Sequence, residues 1–144
     1  MATVNAYLVF DGNCEEAFNF YKSAFGKEFS ILSRFSEMPP QEGMPVLADD
    51  VKNRVMHVSL PISAETILMG SDTMPGMGSG LKVGDNFSVA LAVNSKEEAD
   101  ELFAKLSEKG KITMPLEVTF WNSYFGMWTD QFGINWMVNY DLLK

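Results

Sequence analysis

The sequence predicts an α+β fold: two copies of a β-α-β-β-β module whose strands form a curved mixed sheet around a cleft. Three observations carry that reading. Two amphipathic helical patterns lie 82 residues apart (97 − 15), with Glu15-Glu16-Ala17 matching Glu97-Glu98-Ala99. Each pattern follows one short β-prone run and precedes three more. A stretch rich in Gly, Met and Pro, residues 71–86, stands between them as a connector. Two helices can share a pattern by chance, but the matching strand order points to a duplication. At 144 residues the chain is expected to be a single domain, made of module 1–70, connector 71–86 and module 87–144.

In the first module, Val4 to Phe10 is β-prone and Asp11-Gly12-Asn13 breaks it. Asn13 suits a helix N-cap, with Glu16 three residues on to complete a capping box. Ala17, Phe20, Tyr21 and Ala24 then mark one apolar helix face, and Gly26 is placed to end it. Phe29 to Phe35 reads as a strand, Met38 to Asp50 as a loop with three prolines, and Arg54–Pro61 and Thr66–Gly70 as a hairpin. In the second module, Phe87 to Val93 is a strand and Ser95 with Glu98 repeats the capping signal. Ala99, Leu102, Phe103 and Leu106 repeat the helical spacing, and Gly110 closes it. Ile112–Phe120, Ser123–Thr129 and Ile134–Tyr140 complete the strands. Asp130-Gln131-Phe132-Gly133 is a tight connection, with Gly133 free to take a positive φ.

Composition narrows the function. Hydrophobic residues are 47% and charged residues 21% of the chain, as in ordinary globular proteins. No apolar run approaches the roughly 20 residues needed to span a bilayer. The N-terminus lacks a signal-peptide pattern, so a cytoplasmic location is expected. A net charge of −8 repels phosphate backbones, so neither nucleic acid nor an anionic membrane is an expected partner. With Cys14 as the only cysteine, no intrachain disulfide can form. Ten methionines suit either core filling or an adaptable apolar pocket.

The chemistry-bearing residues are few. His57 is the only histidine and lies on a predicted strand, so a single chain cannot hold a two-histidine site. It reads either as a catalytic base or ligand donor, or as a hydrogen-bonded structural residue. Cys14 falls at the start of the first helix, where the dipole favours a thiolate; its alternative is a plain structural thiol. Trp121, Trp128 and Trp136 either stack on a planar ligand or fill the core. The turns between them prevent strand alternation from relating their facings. Tyr7, Phe35, Met69, Phe87 and Tyr124 lie on strands that would line the cleft. Gly76-Met77-Gly78-Ser79-Gly80 opens no helix, so a nucleotide or S-adenosylmethionine site is not expected there, and no cofactor is. Residues 38–50 and 74–80 read either as lids over the cleft or as surface loops.

The chain resembles the PhnB-like branch of the vicinal-oxygen-chelate superfamily of glyoxalases, extradiol dioxygenases and bleomycin-resistance proteins. The likeness rests on Tyr7 to Ala17 with Phe20-Tyr21 and Phe25-Gly26, then Met56-His57-Val58 and Ile67 to Asp72. It closes with Trp121, Tyr124-Phe125-Gly126, Asp130, Phe132-Gly133 and Trp136. It spans nearly the whole chain and implies a glyoxalase-like fold and a homodimer. In such enzymes a divalent metal takes one ligand from the first and one from the last strand of each half. Those strands offer Asn5 and Tyr7, Leu68 and Met69, Phe87 and Ser88, then Asn135, Trp136 and Met137, none a good hard-metal ligand. No metal is therefore expected. The reading is a metal-free binding protein for a small, partly apolar molecule, with His57 as candidate catalytic residue. Tyr7, Phe35, His57, Met69, Phe87, Trp121, Tyr124 and Trp128 are its candidate ligand-binding residues. The alternatives are a metal-dependent lyase, isomerase or dioxygenase, and a drug-sequestering resistance protein.

Overall fold

A computed structural model describes residues 2–39, 47–74 and 80–143. The chain divides into two compact units, Met1–Lys82 and Val83–Lys144. The first contains β1 (Tyr7–Phe10), α1 (Cys14–Phe25), β2 (Ile31–Arg34), a 3-10 turn at Phe35–Glu37, α2 (Asp49–Lys52), β3 (Val55–Pro61) and β4 (Ile67–Asp72). Its sheet runs β1-β4-β3-β2, with β1 parallel to β4 and the other neighbours antiparallel. The second contains β5 (Val89–Ala92), α3 (Lys96–Leu106), β6 (Lys111–Val118), β7 (Ser123–Thr129) and β8 (Asn135–Asp141). Its sheet runs β5-β8-β7-β6, again with only the first pair parallel. The β-α-β-β-β order expected from the sequence is therefore present twice, with the same topology. Among the described residues, no helix is long and apolar enough to cross a membrane.

Within the first unit, strand alternation puts Leu8, Phe10, Val58, Leu60 and Leu68 in the core, and α1 packs on β3 and β4. The helix buries Cys14, Ala17, Phe18, Tyr21 and Ala24. Phe20, expected on this face, is only half-buried, and Phe18 holds the central position instead. The cause is Gly70, which pairs with Val58 and Leu8 on the sheet. A Cβ there would lie 2.6 Å from the Phe18 ring, so only glycine admits the helix aromatic. Gly126 on β7 receives Phe103 in the same way, its notional Cβ 2.8 Å from that ring.

The start of α1 corrects the expected capping box. Asn13 makes no side-chain cap, and Glu16 is exposed. The buried Asp72 carboxylate at the end of β4 replaces it: Oδ1 accepts the Gly12 and Cys14 N–H groups, each at 2.9 Å, and Oδ2 accepts Val55 N–H at 2.9 Å. A carboxylate at the positive end of the helix dipole satisfies donors that a side chain of the helix would otherwise have to reach. The Ser95 cap of α3 does form, its Oγ accepting Glu98 N–H at 3.0 Å. The Glu98 carboxylate accepts from Asn94 N–H (2.9 Å), one residue before the cap.

Element ends also move. Gly26 takes φ 65° and closes α1, its N–H on the Lys22 carbonyl, as expected. Gly110 does not close α3; Lys109 takes the positive φ of 60°. Gly110 is instead pressed against the Thr129 carbonyl, where a Cβ has no room. The short α2 begins in the last two residues of the loop expected over 38–50 and runs past it, and β4 runs on to Asp72, past the expected module boundary.

Asp72→Ala removes the acceptor for three backbone donors, two of them in buried bonds. It should cost about 3 kcal/mol or more in urea unfolding. A loss below about 1 kcal/mol would show that the cap does not organise this unit.

Candidate ligand-binding face

The face of the first sheet that does not pack on α1 carries a cluster of polar side chains centred on His57. Tyr7 pairs with Met69, Met69 with Ser59, and His57 sits two residues before Ser59 on the same strand face. The Tyr7 hydroxyl lies 3.3 Å from His57 Nδ1, and His57 Nε2 lies 2.9 Å from Ser59 Oγ. The Tyr7 and His57 rings stack, 5.7 Å between centroids and 28° between planes. Tyr7 is 47% exposed, His57 half-buried and Ser59 buried. Val9, Ile31, Ile67 and Met69 flank the string, with Ser33 opposite His57 in register. None of Tyr7, Val9, Ile31, Ser33, Ser59, Ile67 and Met69 carries a carboxylate, ammonium or guanidinium group. The result is a linear polar string on an apolar surface, suited to one hydrogen-bonding group of an uncharged ligand.

The structure thus brings together Tyr7, His57 and Met69 from the expected site and scatters the others. Phe35 is buried and starts the 3-10 turn, its N–H donating to the Arg54 carbonyl. Phe87 is exposed just before β5. Trp121 is half-exposed after β6, in edge-to-face contact with Phe120 and Phe125 at 4.9 and 5.8 Å. Two expectations are corrected. Trp128 is 1% exposed, stacked on Trp136 (interplanar angle 3°) and edge-on to Phe103, so it is core beneath α3. Tyr124 also faces α3: its hydroxyl donates to Asp100, and the Lys96 ammonium sits 4.7 Å from its ring centre. That hydrogen bond to a carboxylate, with a little burial, raises the phenol above its ordinary pKa.

Trp136, the third tryptophan, donates through Nε1 to Asp130 Oδ2 at 2.8 Å. Asp130 Oδ1 accepts the Phe132 and Ile134 N–H groups, and Gly133 takes φ 90°, which builds the tight turn the sequence implied. Cys14 is fully buried. Burial first, then the charges of Asp72 and Glu15, push its thiol far above its ordinary pKa. The dipole effect expected to favour a thiolate is overridden, and Cys14 is a structural thiol. Ser59 was missed, although the i, i+2 spacing from His57 on a strand was enough to place both on one face. Residues 76–79 of the glycine-rich stretch, and most of the two candidate lids, lie outside the described residues.

The match of the chain to known proteins agrees with this architecture. Residues 3–138 match the family model of the Glyoxalase/Bleomycin resistance protein/Dioxygenase superfamily. The chain belongs to that superfamily. It is 34% identical over 141 residues to Protein YjdN of Escherichia coli (strain K12), covering 94% of this chain and 93% of that protein. The crystal structure of protein PA1353 from Pseudomonas aeruginosa is 38% identical, covers 98% of both chains and has a TM-score of 0.83. The PhnB protein from Bacillus cereus is 26% identical, covers 96% of this chain and 99% of its own, and has a TM-score of 0.74. These similarities place the chain in the PhnB-like branch.

The superfamily implies a divalent metal, and the residues at the corresponding strand positions do not fit one. Asn5 Oδ1 is taken by Ile67 N–H at 3.1 Å. Asn135 Oδ1 accepts the Thr129 hydroxyl at 2.8 Å, and its Nδ2 donates to the Gly84 and Phe87 carbonyls. Leu68 and Trp136 are buried, Met69 and Met137 offer soft thioethers, and the Tyr7 hydroxyl is turned to His57. Among the described residues, no three His, Cys, Asp or Glu side chains stand close enough to share an ion.

A buried, protonated Cys14 should not react with a disulfide reagent such as Ellman's reagent in the native state, and should react at the global unfolding rate. Rapid native-state labelling would contradict its placement in the core.

Proposed function

We propose that this protein is a metal-free binder of a small, partly apolar molecule, seated on the helix-free face of the β1-β4-β3-β2 sheet around His57. The observation that carries the reading is the Tyr7–His57–Ser59 string, a polar group on an apolar face. The donor chemistry of the strand positions supports the metal-free half of it. The proposed contact residues are Tyr7, His57, Ser59 and Met69, with His57 the group able to exchange a proton. Membership of the superfamily supports a small-molecule ligand. We also propose a homodimer, which the family resemblance suggests. Phe120, 94% exposed beside the exposed Val118, is the sort of surface that such an assembly covers.

The test is metal analysis of protein purified without chelators, with thermal unfolding in the presence of Zn²⁺, Ni²⁺, Mn²⁺ and Fe²⁺. Metal far below one equivalent and an unchanged Tm are expected. A native-state site at 100 times its Kd would add about 2.7 kcal/mol, which is several degrees in Tm. Such a shift, or stoichiometric metal, would restore lyase or dioxygenase chemistry.

A further inference from the structure

We infer that Tyr7, His57 and Ser59 form an acceptor for a neutral, planar weak acid, a ligand with one O–H or N–H of phenol-like acidity. The inference rests on the binding reading above and names the ligand chemistry of that face. It follows from how the two imidazole nitrogens are partnered. A phenol oxygen shares its lone pair with its ring, so it donates better and accepts worse than a serine hydroxyl. The Tyr7 hydroxyl therefore donates to His57 Nδ1 (3.3 Å), and His57 Nε2–H donates to Ser59 Oγ (2.9 Å). The basic atom of the site is Nδ1, and the hydroxyl of the half-exposed Tyr7 stands beside it.

A ligand O–H approaching the Tyr7 oxygen can hand its proton on. The ligand O–H bond breaks as its proton bonds to the Tyr7 oxygen, and the Tyr7 proton passes to Nδ1. Tyr7 ends neutral, with its O–H directed at the new ligand anion, and His57 ends as an imidazolium. The pair is neutral overall, and no oxidant or further reactant is needed. The neighbours of His57 on the face are Ser33 on β2, Ser59 on its own strand, Met69 and Ser71 on β4, and Tyr7 and Val9 on β1, none of them a cation. Val9, Ile31 and Met69 supply an apolar surround suited to a flat ring.

The probe is 4-nitrophenol, whose absorbance separates phenol from phenolate, with its methyl ether 4-nitroanisole as the ligand that cannot ionise. The protein is titrated at a pH where the free phenol is mostly protonated. His57, the only histidine, gives the single imidazole signal by NMR. Bound 4-nitrophenol should appear as phenolate while His57 gains a proton, and 4-nitroanisole should bind at least about tenfold more weakly. Tyr7→Phe, an exposed change that keeps the ring, should lose the phenolate band and about tenfold in affinity, and His57→Gln should do the same. Equal binding of the two probes with the His57 signal shifted would overturn the weak-acid inference and leave the binding face standing. Binding of both probes with the His57 signal unmoved would overturn the inference and the location of that face. Binding of neither probe would overturn the ligand class.

Discussion

The Asp72 carboxylate is the constraint on which the first unit depends. One oxygen holds the β1–α1 loop and the first turn of α1, and the other holds the first residue of β3. Two pieces of chain distant in sequence, one at Gly12–Cys14 and one at Val55, are thereby fixed to the end of β4. Around it, Arg54 Nη1 bonds Asp11 and the Thr73 carbonyl at 3.0 and 3.1 Å, which closes the same corner from the surface. Arg34 reaches Glu15 with both terminal nitrogens, at 3.0 and 2.6 Å, tying the start of α1 to the end of β2. With the helix held on one face, alternation commits the opposite face to Tyr7, His57, Ser59 and Met69. The capping contact thus positions the proposed binding face without touching it.

The second unit reaches the same topology with other contacts. Its buried carboxylate is Asp130, at the β7–β8 turn, and it anchors a turn and the Trp136 indole in place of a helix start. A serine caps its helix directly. Glycines that admit a helix aromatic persist in both units, at Gly70 and Gly126, because close helix–sheet approach leaves no room for a Cβ. The duplicated architecture therefore tolerates exchange of its polar anchors more readily than of its points of closest packing.

What the sequence made legible follows from which interactions are local. The Ser95 cap, the Gly26 helix end and the Asp130–Gly133 turn are settled within a few residues, and all appear as expected. Asp72 was not legible as a cap because its partners lie up to 60 residues away. Phe18 displaced Phe20 because Gly70, on a strand of another part of the chain, opens a space for it. Tyr124 and Trp128 were misplaced for the same reason: their facing depends on which side α3 covers, and β-propensity is silent on that. The candidate site was legible only where two residues share one strand, and His57 with Ser59 is that case.

Fold and family fix the scaffold, whereas function rests on the side chains set into it. Here the strand positions that the resemblance assigns to a metal are occupied by amides in use, hydroxyls, thioethers and apolar groups, and the histidine stands on β3 instead. His57 is held between Tyr7 and Ser59, and on the inference above its imidazole N–H is at Nε2 while Nδ1 accepts from the Tyr7 hydroxyl. The direct measurement is the pair of imidazole ¹⁵N chemical shifts of this single histidine in the ligand-free protein at alkaline pH. A protonated Nε2 and an unprotonated Nδ1 are expected, with the Nδ1 shift moved by Tyr7→Phe. A proton resident on Nδ1, or shifts averaged between the two nitrogens and indifferent to Tyr7, would contradict it.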